Sequence, residues 1–173
     1  MQNSCLHLGF YLASWGMYRG KSSLLQQSAH ALAPVVQVIS LAPRCIWELD
    51  VENYHNDSIK LVLDWAERVR SALPPKSTDT LVTKVLLGVF GNVPAYDRFF
   101  RAGFNSFGLN KKSLEKVKTY FDQHQDKIKD LQDATIDFAG KETKYRYTQA
   151  KVIDMIFFTA GGGMGTAATN MNP

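Results

Sequence analysis

The stretch LPPKSTDTLVTKVLLGVFGNVPAYDRFF, residues 73–100, decides the fold expected for this chain. Its first seven residues are turn formers, and Ser77, Thr78 or Asp79 can cap the apolar helix that follows. The residues Gly-Asn-Val-Pro-Ala-Tyr form a second turn, after which Asp97 begins another apolar helix. The stretch therefore predicts two consecutive helices joined by a short turn, with a carboxylate at the start of the second helix.

Helical periodicity continues on both sides of this stretch. Apolar residues at three- and four-residue steps predict further helices over residues 6–18, 23–32, 57–73, 97–107, 111–131 and 147–159. Residues 35–39 form either a helix or a short strand, with the helix favoured, and residues 41–56 form an irregular connection. No repeat or linker divides the chain. The sequence predicts an all-α fold, a single compact domain of about seven helices over residues 1–160, followed by a flexible C-terminal tail at 161–173.

Composition places the chain among globular proteins. The 173 residues are enough for one domain, 45% of them are hydrophobic and 21% are charged. No apolar run reaches the roughly 18 residues of a membrane span, and the first residues lack the pattern of a secretory signal. We therefore expect a cytoplasmic protein in which Cys5 and Cys45 are core thiols. Two cysteines exclude an iron–sulfur cluster, the four histidines show no zinc spacing, and no cofactor is expected.

Positive charge is concentrated in the second half of the chain. The net charge is +4, but residues 84–118 alone contain seven lysines and arginines against two carboxylates. Residues 122–137, which follow, are acidic. A basic patch beside an acidic one allows contact with a nucleic-acid backbone, although a solvated helix face would have the same composition.

Residues 73–100 resemble the core of the helix-hairpin-helix DNA glycosylase superfamily. The matching positions are Leu73-Pro74 on the family's Leu-Pro, Thr80 on its helix threonine, Phe90-Gly91 near its Phe-Gly, and Asp97 on its catalytic aspartate. The resemblance implies that Asp97 stabilises positive charge on the sugar while the base leaves. The stretches LASWGMYRGKSSLL, TDTLVTKVLLG and VPAYDRFF are also similar to a bacterial family of helical proteins, a likeness that implies no mechanism.

The chain departs from the glycosylase pattern at the hairpin. Pro75 and Ser77 stand where the family has glycines, and proline has no N–H to offer a DNA phosphate. Asp79 stands where the bifunctional members have their nucleophilic lysine, while Lys76 and Lys84 lie nearby but off that position. The resemblance therefore implies base release by hydrolysis, without the lysine-dependent step.

Three groups of residues are candidates for function. Asp97 is either a helix cap only or also a working carboxylate, and Lys84 either reaches the surface or is drawn to a carboxylate such as Asp97 in a cleft. The DNA-binding candidates are Lys84, Arg98, Arg101, Lys111 and Lys112. The candidates for an anion site at a helix start are Arg19, Lys21, Ser22 and Ser23.

Two functions from different classes follow from these residues. The first is a DNA-interacting helical protein with a glycosylase-like core, in which Asp97 would release a base by hydrolysis. The second is a non-catalytic interaction module, or a regulatory subunit with a protein partner, in a bacterial genome-maintenance or defence system. The missing hairpin glycines and the incomplete catalytic set favour the second. The three tryptophans are interpreted as core residues, with base stacking as the alternative.

Overall fold

The computed structural model describes residues 1–162. The chain is mostly helical, as predicted, with one small antiparallel hairpin. In chain order its elements are α1 (Gln2–Ser14), α2 (Ala33–Ser40), α3 (Arg44–Trp47), α4 (Asn56–Ala72), α5 (Asp79–Val89), α6 (Arg98–Phe104), α7 (Lys111–Gln123), α8 (Gln125–Asp130), β1 (Ala134–Ile136), β2 (Glu142–Arg146) and α9 (Gln149–Ala160). Single 3-10 turns lie at Ala29–Leu32 and Val51–Asn53.

Helix α5 forms the centre of the core. All seven residues from Leu81 to Leu87 are buried, including Thr83 and Lys84. The helix begins where the sequence predicted, because Thr78 accepts a hydrogen bond from the N–H of Leu81 through its side chain. Because α5 is surrounded by other elements, its polar side chains are held in fixed positions. Two of them, Thr83 and Lys84, position the residues around Asp97.

Helices α6 and α9 pack at a distance that only glycine allows. A Cβ atom placed on Gly103 would lie 2.2 Å from the carbonyl oxygen of Phe157, and one on Gly161 would lie 1.9 Å from that of Phe99. Both contacts are with backbone, which cannot rotate away as a side chain can. The two helices are thus held at a fixed separation.

Asp50 ties the connection before α4 to the start of α9. Its carboxylate accepts hydrogen bonds from the N–H groups of Val51 at 2.8 Å, Gln149 at 2.7 Å and Ala150 at 3.0 Å. Burial raises the pKa of Asp50, and the three N–H donors oppose that rise. The carboxylate caps α9 from a distant part of the chain, where Thr148 supplies the local cap.

The hairpin β1–β2 was not predicted, and the all-α expectation is corrected here. Its strands are short and mostly exposed, with an irregular register between the pairs Ala134–Arg146 and Ile136–Glu142. Such strands show no alternation of buried and exposed residues, so the sequence carries no strand signal. Asp137 stabilises the turn by accepting hydrogen bonds from the N–H groups of Ala139 and Lys141.

The helix expected over residues 23–32 was wrong. Residues 23–26 form turns and Ala29–Leu32 form the 3-10 turn, with no α-helix over the segment, and Ser22 uses its hydroxyl to donate to the carbonyl of Met17. Pro34 opens α2 instead of ending a preceding helix, in keeping with its preference for the first turn. Residues 35–39 are helical, the alternative that was favoured.

Smaller corrections concern helix ends and exposure. The single helix expected over residues 111–131 is divided at His124 into α7 and α8. Helix α6 ends at Phe104, because Asn105 adopts a left-handed conformation with φ of 51°. Cys45 is exposed and is not a core thiol, whereas Cys5 is buried.

Two expectations concern regions at the limits of what is described. In residues 1–162 no helix is both long enough and apolar enough to cross a membrane. The flexible tail expected at 161–173 lies, apart from its first two residues, outside the described residues.

Candidate functional site

Asp97 is the N-cap of α6, and its neighbours hold it firmly in place. Oδ1 accepts hydrogen bonds from the N–H groups of Phe99 at 3.0 Å and Phe100 at 2.9 Å. Just before it, the N–H of Tyr96 donates to the hydroxyl of Thr83 at 2.9 Å, and the hydroxyl of Thr80 donates to the carbonyl of Tyr96 at 3.0 Å. The residue is therefore a cap, as predicted, on a segment tied to α5.

The other oxygen of Asp97 faces a buried lysine. Lys84 Nζ lies 2.9 Å from Oδ2, and the lysine side chain is 1% exposed whereas the carboxylate is 13% exposed. The ammonium also lies 3.9 Å from the centre of the Trp15 ring, which is cation–π distance. Among residues 1–162 it has no partner with good hydrogen-bond geometry. Of the two alternatives for Lys84, the structure shows the lysine drawn to the carboxylate.

A second ion pair lies beside the first. Asp154 on α9 accepts from the N–H of Ala95 at 2.9 Å and from Lys151 Nζ at 3.3 Å. Burial raises its pKa, against the opposing effects of Lys151, Lys84 and the Ala95 N–H. Lys151 Nζ lies 4.7 Å from the centre of the Trp15 ring. Trp15 is thus in contact with the ammonium groups of both pairs.

The first pair, Lys84 and Asp97, lines one cavity of about 1130 Å³ together with Trp15. Three arginines stand around it with exposed side chains: Arg19, Arg98 and Arg101. Four aromatic residues also line it: Trp15, Tyr18, Phe99 and Phe158. Three of their rings meet edge to face, Trp15 with Phe158 at 6.3 Å and Phe99 with Phe158 at 5.1 Å. The cavity therefore combines exposed cations at its edge, aromatic surface, and one ion-paired carboxylate.

The remaining predicted site residues do not line this cavity. Lys111 and Lys112 are exposed at the start of α7, where Lys111 Nζ lies 3.7 Å from Glu115. Ser22 accepts from the N–H of Leu24 at 3.2 Å, and Ser23 contacts the hydroxyl of Ser77 at 3.1 Å. The reason for an anion site at Lys21, Ser22 and Ser23 was a helix start, and no helix begins there. Arg19 alone of that group joins the Asp97 cavity.

Polar side chains in the turn before α5, residues 73–79, make hydrogen bonds within the protein. Ser77 donates to the carbonyl of Pro74 at 2.6 Å. Asp79 accepts from Arg70 Nη2 at 2.6 Å and from the N–H of Leu109 at 3.3 Å. The carboxylate of Asp79 thus joins α4, α5 and the segment before α7. Across the described part of the chain, histidine, cysteine and acidic residues form no group that could hold a metal ion.

Sequence reasoning missed the contribution of α9 and the role of Trp15. Asp154 and Lys151 were read only as part of an apolar helix, although a lone carboxylate in VIDMIFF is the same signal as Lys84 in LVTKVLLGVF. Of the three tryptophans, Trp65 is buried as expected, Trp47 is 46% exposed, and Trp15 lies between core and cavity. The prediction of a core position for Trp15 missed its place in the cavity wall, because the residues that it contacts there are distant in sequence.

No protein-family model, curated protein or solved structure matches this chain. The functional argument therefore depends on the geometry of its own residues.

Proposed function

We propose that the Asp97 cavity binds DNA. The observation that carries this proposal is the meeting of three exposed arginines with four aromatic rings in one cavity of about 1130 Å³. Arginine forms paired, charge-assisted hydrogen bonds to phosphate, and aromatic rings stack on bases. A nucleotide unit offers both groups, one anionic and one flat, at neighbouring positions.

The charge of the cavity comes from its edge. The buried Lys84 is neutralised by Asp97 and the partly exposed Lys151 by Asp154, so neither lysine adds much to the field that a ligand meets. The guanidinium groups remain available: Arg98 lies over the Phe99 ring at 4.4 Å, and Arg101 donates to the carbonyl of Phe107 at 3.3 Å. Arginines held in this way lose little freedom when they bind a phosphate.

The geometry supports binding more than catalysis. Hydrolytic release of a base, the activity that the glycosylase resemblance implies, would need Asp97 to activate water or stabilise the sugar cation. Oδ1 already accepts two backbone hydrogen bonds, and Oδ2 is paired with Lys84. We therefore propose a non-catalytic DNA-binding protein of the cytoplasm, the environment suited to its two free cysteines.

Fluorescence anisotropy with a labelled oligonucleotide tests this proposal as a function of salt. We expect binding that weakens as the salt concentration rises. In a plot of the logarithm of the association constant against the logarithm of the salt concentration, the magnitude of the slope should decrease by roughly 0.7–0.9 for each phosphate contact removed. The double variant Arg98→Gln/Arg101→Gln should reduce both the affinity and the slope. Its matched control, Lys111→Gln/Lys112→Gln, removes the same charge from an exposed helix start outside the cavity and should change both much less.

Two results would contradict the proposal. One is the absence of binding by the unaltered protein at low salt. The other is an equal loss of affinity in the arginine and lysine double variants, because a diffuse positive surface would then account for binding and the cavity would have no special role.

A further inference from the structure

A second cavity adjoins the first at Trp15. It has a volume of about 460 Å³ and lies where the hairpin meets α1, the end of α5 and the start of α9. Its walls include two tyrosines of the hairpin region, Tyr145 and Tyr147, together with Arg146 and Lys151. Trp15 lines both cavities, so the two spaces are neighbours on one surface.

We propose that the ligand is a single DNA strand that occupies both cavities, passing over Trp15 from the Asp97 cavity to the hairpin cavity. This inference rests on the proposed function and specifies its substrate. Each cavity offers aromatic rings and cations, the combination with which proteins hold unpaired strands. In a duplex the bases stack on one another, so they are not free to enter two pockets separated by an indole ring.

The hairpin cavity is firmly built. Arg146 donates to the carbonyl of Gln132 at 2.7 Å, and the N–H of Tyr147 donates to the carbonyl of Asp133 at 3.0 Å. Gly91, with φ of +68°, lets Thr148 approach so closely that a Cβ atom there would lie 2.7 Å from its methyl group. The hairpin end of the cavity is therefore fixed against the end of α5.

The tyrosine rings remain accessible in this framework. Tyr145 is 64% exposed and Tyr147 is 36% exposed. Both rings are therefore placed to stack on bases without displacing the core. Lys144 on the same strand lies with its Nζ 5.2 Å from the centre of the Tyr145 ring, which adds a cation beside that stacking surface.

Binding of fluorescein-labelled oligothymidylates of increasing length, compared with a blunt duplex, tests the inference. We expect the single strand to bind at least about tenfold more tightly than the duplex, and its affinity to rise with length until both cavities are filled. Tyr145→Ala/Tyr147→Ala should reduce the affinity for long strands by about tenfold or more, as expected for lost base stacking. The shortest strands that the Asp97 cavity can hold alone should be unaffected.

Matched variants separate stacking from folding. Tyr145→Phe/Tyr147→Phe keeps both rings and should retain the affinity. Phe138→Ala removes a fully exposed ring at the hairpin tip that lines neither cavity, and it should leave binding unchanged. Circular dichroism of all the variants shows whether the helical fold is kept.

The outcomes distinguish the inference from the proposed function. If the duplex binds as tightly as the single strand and the tyrosine variant matches the unaltered protein, while the arginine variant loses affinity, the cavity binds DNA but the single-strand inference is overturned. If the unaltered protein binds neither form at low salt, both proposals fail.

Discussion

Lys84 and Asp97 form an ion pair that joins the middle of α5 to the N-cap of α6, with 2.9 Å between Nζ and Oδ2. The lysine is almost fully buried, so the carboxylate is its main source of neutralisation. The pair therefore contributes to the stability of the fold in addition to any role in binding. Substitution of either residue should change the free energy of unfolding.

We expect Asp97→Asn to lower the free energy of unfolding by about 3 kcal/mol, the usual cost of breaking a buried pair by removing one partner. Asparagine keeps the capping function and would cost little if Asp97 were only a cap. The larger loss arises because the ammonium of Lys84 would remain buried without its counter-charge. Chemical denaturation of the variant measures it.

A double-mutant cycle that combines Asp97→Asn with Lys84→Met tests whether the loss of stability comes from the broken ion pair. Methionine fills the same volume without a charge, so Asp97→Asn should cost much less in the Lys84→Met background than in the unaltered protein. Additive effects of the two substitutions would show that the pair contributes no coupling energy, and the expectation would be wrong.

Asp154 should impose its own pH dependence on stability. Because burial raises its folded-state pKa above the ordinary value, the folded protein holds its proton more tightly than the unfolded chain does. As the pH rises from the ordinary aspartate pKa through the raised value, the contribution of Asp154 to stability decreases, and above that value it is constant. Asparagine at this position cannot titrate.

Unfolding free energies of the unaltered protein and of Asp154→Asn, measured at several pH values, test this sign. The unfolding free energy of the unaltered protein minus that of the variant should fall as the pH rises from the ordinary aspartate pKa to the raised pKa of Asp154. Above that pH the difference should be constant. A difference that increases with pH would mean that the ion pair with Lys151 outweighs burial, and that the pKa is lowered.

Gly103→Ala should destabilise the protein by about 3 kcal/mol, near the upper end for overpacking, because its Cβ would lie 2.2 Å from the backbone oxygen of Phe157. Gly9→Ala on α1 is the matched control. There the new Cβ would meet side chains at 3.4 Å and 3.5 Å, an ordinary contact, and helix propensity would favour alanine by up to about 1 kcal/mol. Thermal unfolding of the two variants should therefore shift in opposite directions.

Asp50→Ala should cost about 3 kcal/mol, because it leaves the N–H groups of Gln149 and Ala150 at the start of α9 without their acceptor. Asp50→Asn, which keeps one acceptor oxygen, should lose about half as much. Asp57→Ala is the control: this carboxylate is exposed in the first turn of α4, and its loss should cost no more than about 1 kcal/mol. Equal losses at the two positions would show that Asp50 does not act through its buried hydrogen bonds.

Sequence reasoning succeeded where local chemistry decides the structure. The cap at Asp97, a cap of α5 among Ser77, Thr78 and Asp79, and the helix over residues 57–73 depend on neighbours within a few residues. The structure has all three, with Thr78 as the cap of α5. Lys84 could be singled out because a cation in an apolar helix must find a partner. The sequence left two alternatives for Lys84, a carboxylate such as Asp97 or the solvent, because no neighbouring residue shows which of them the ammonium reaches.

The remainder depends on contacts between distant parts of the chain. Phe158 reaches the cavity only because α9 packs on α6, and that packing depends on Gly103 and Gly161. The hairpin strands are held by their pairing with each other and by hydrogen bonds to Gln132 and Asp133, without a buried face of their own. Neither arrangement produces a repeating pattern of apolar residues from which it could be predicted.

The glycine contacts between α6 and α9 also determine which part of this protein is open to redesign. Asp97, Arg98 and Phe158 stand on helices that cannot separate, and Lys84 stands on the central helix. The opposite wall, residues 16–20, is built of turns with left-handed glycines at Gly16 and Gly20, and it supports no buried charge. A library confined to residues 16–20 would therefore vary the ligand that the cavity admits while the ionic framework beneath it stays intact.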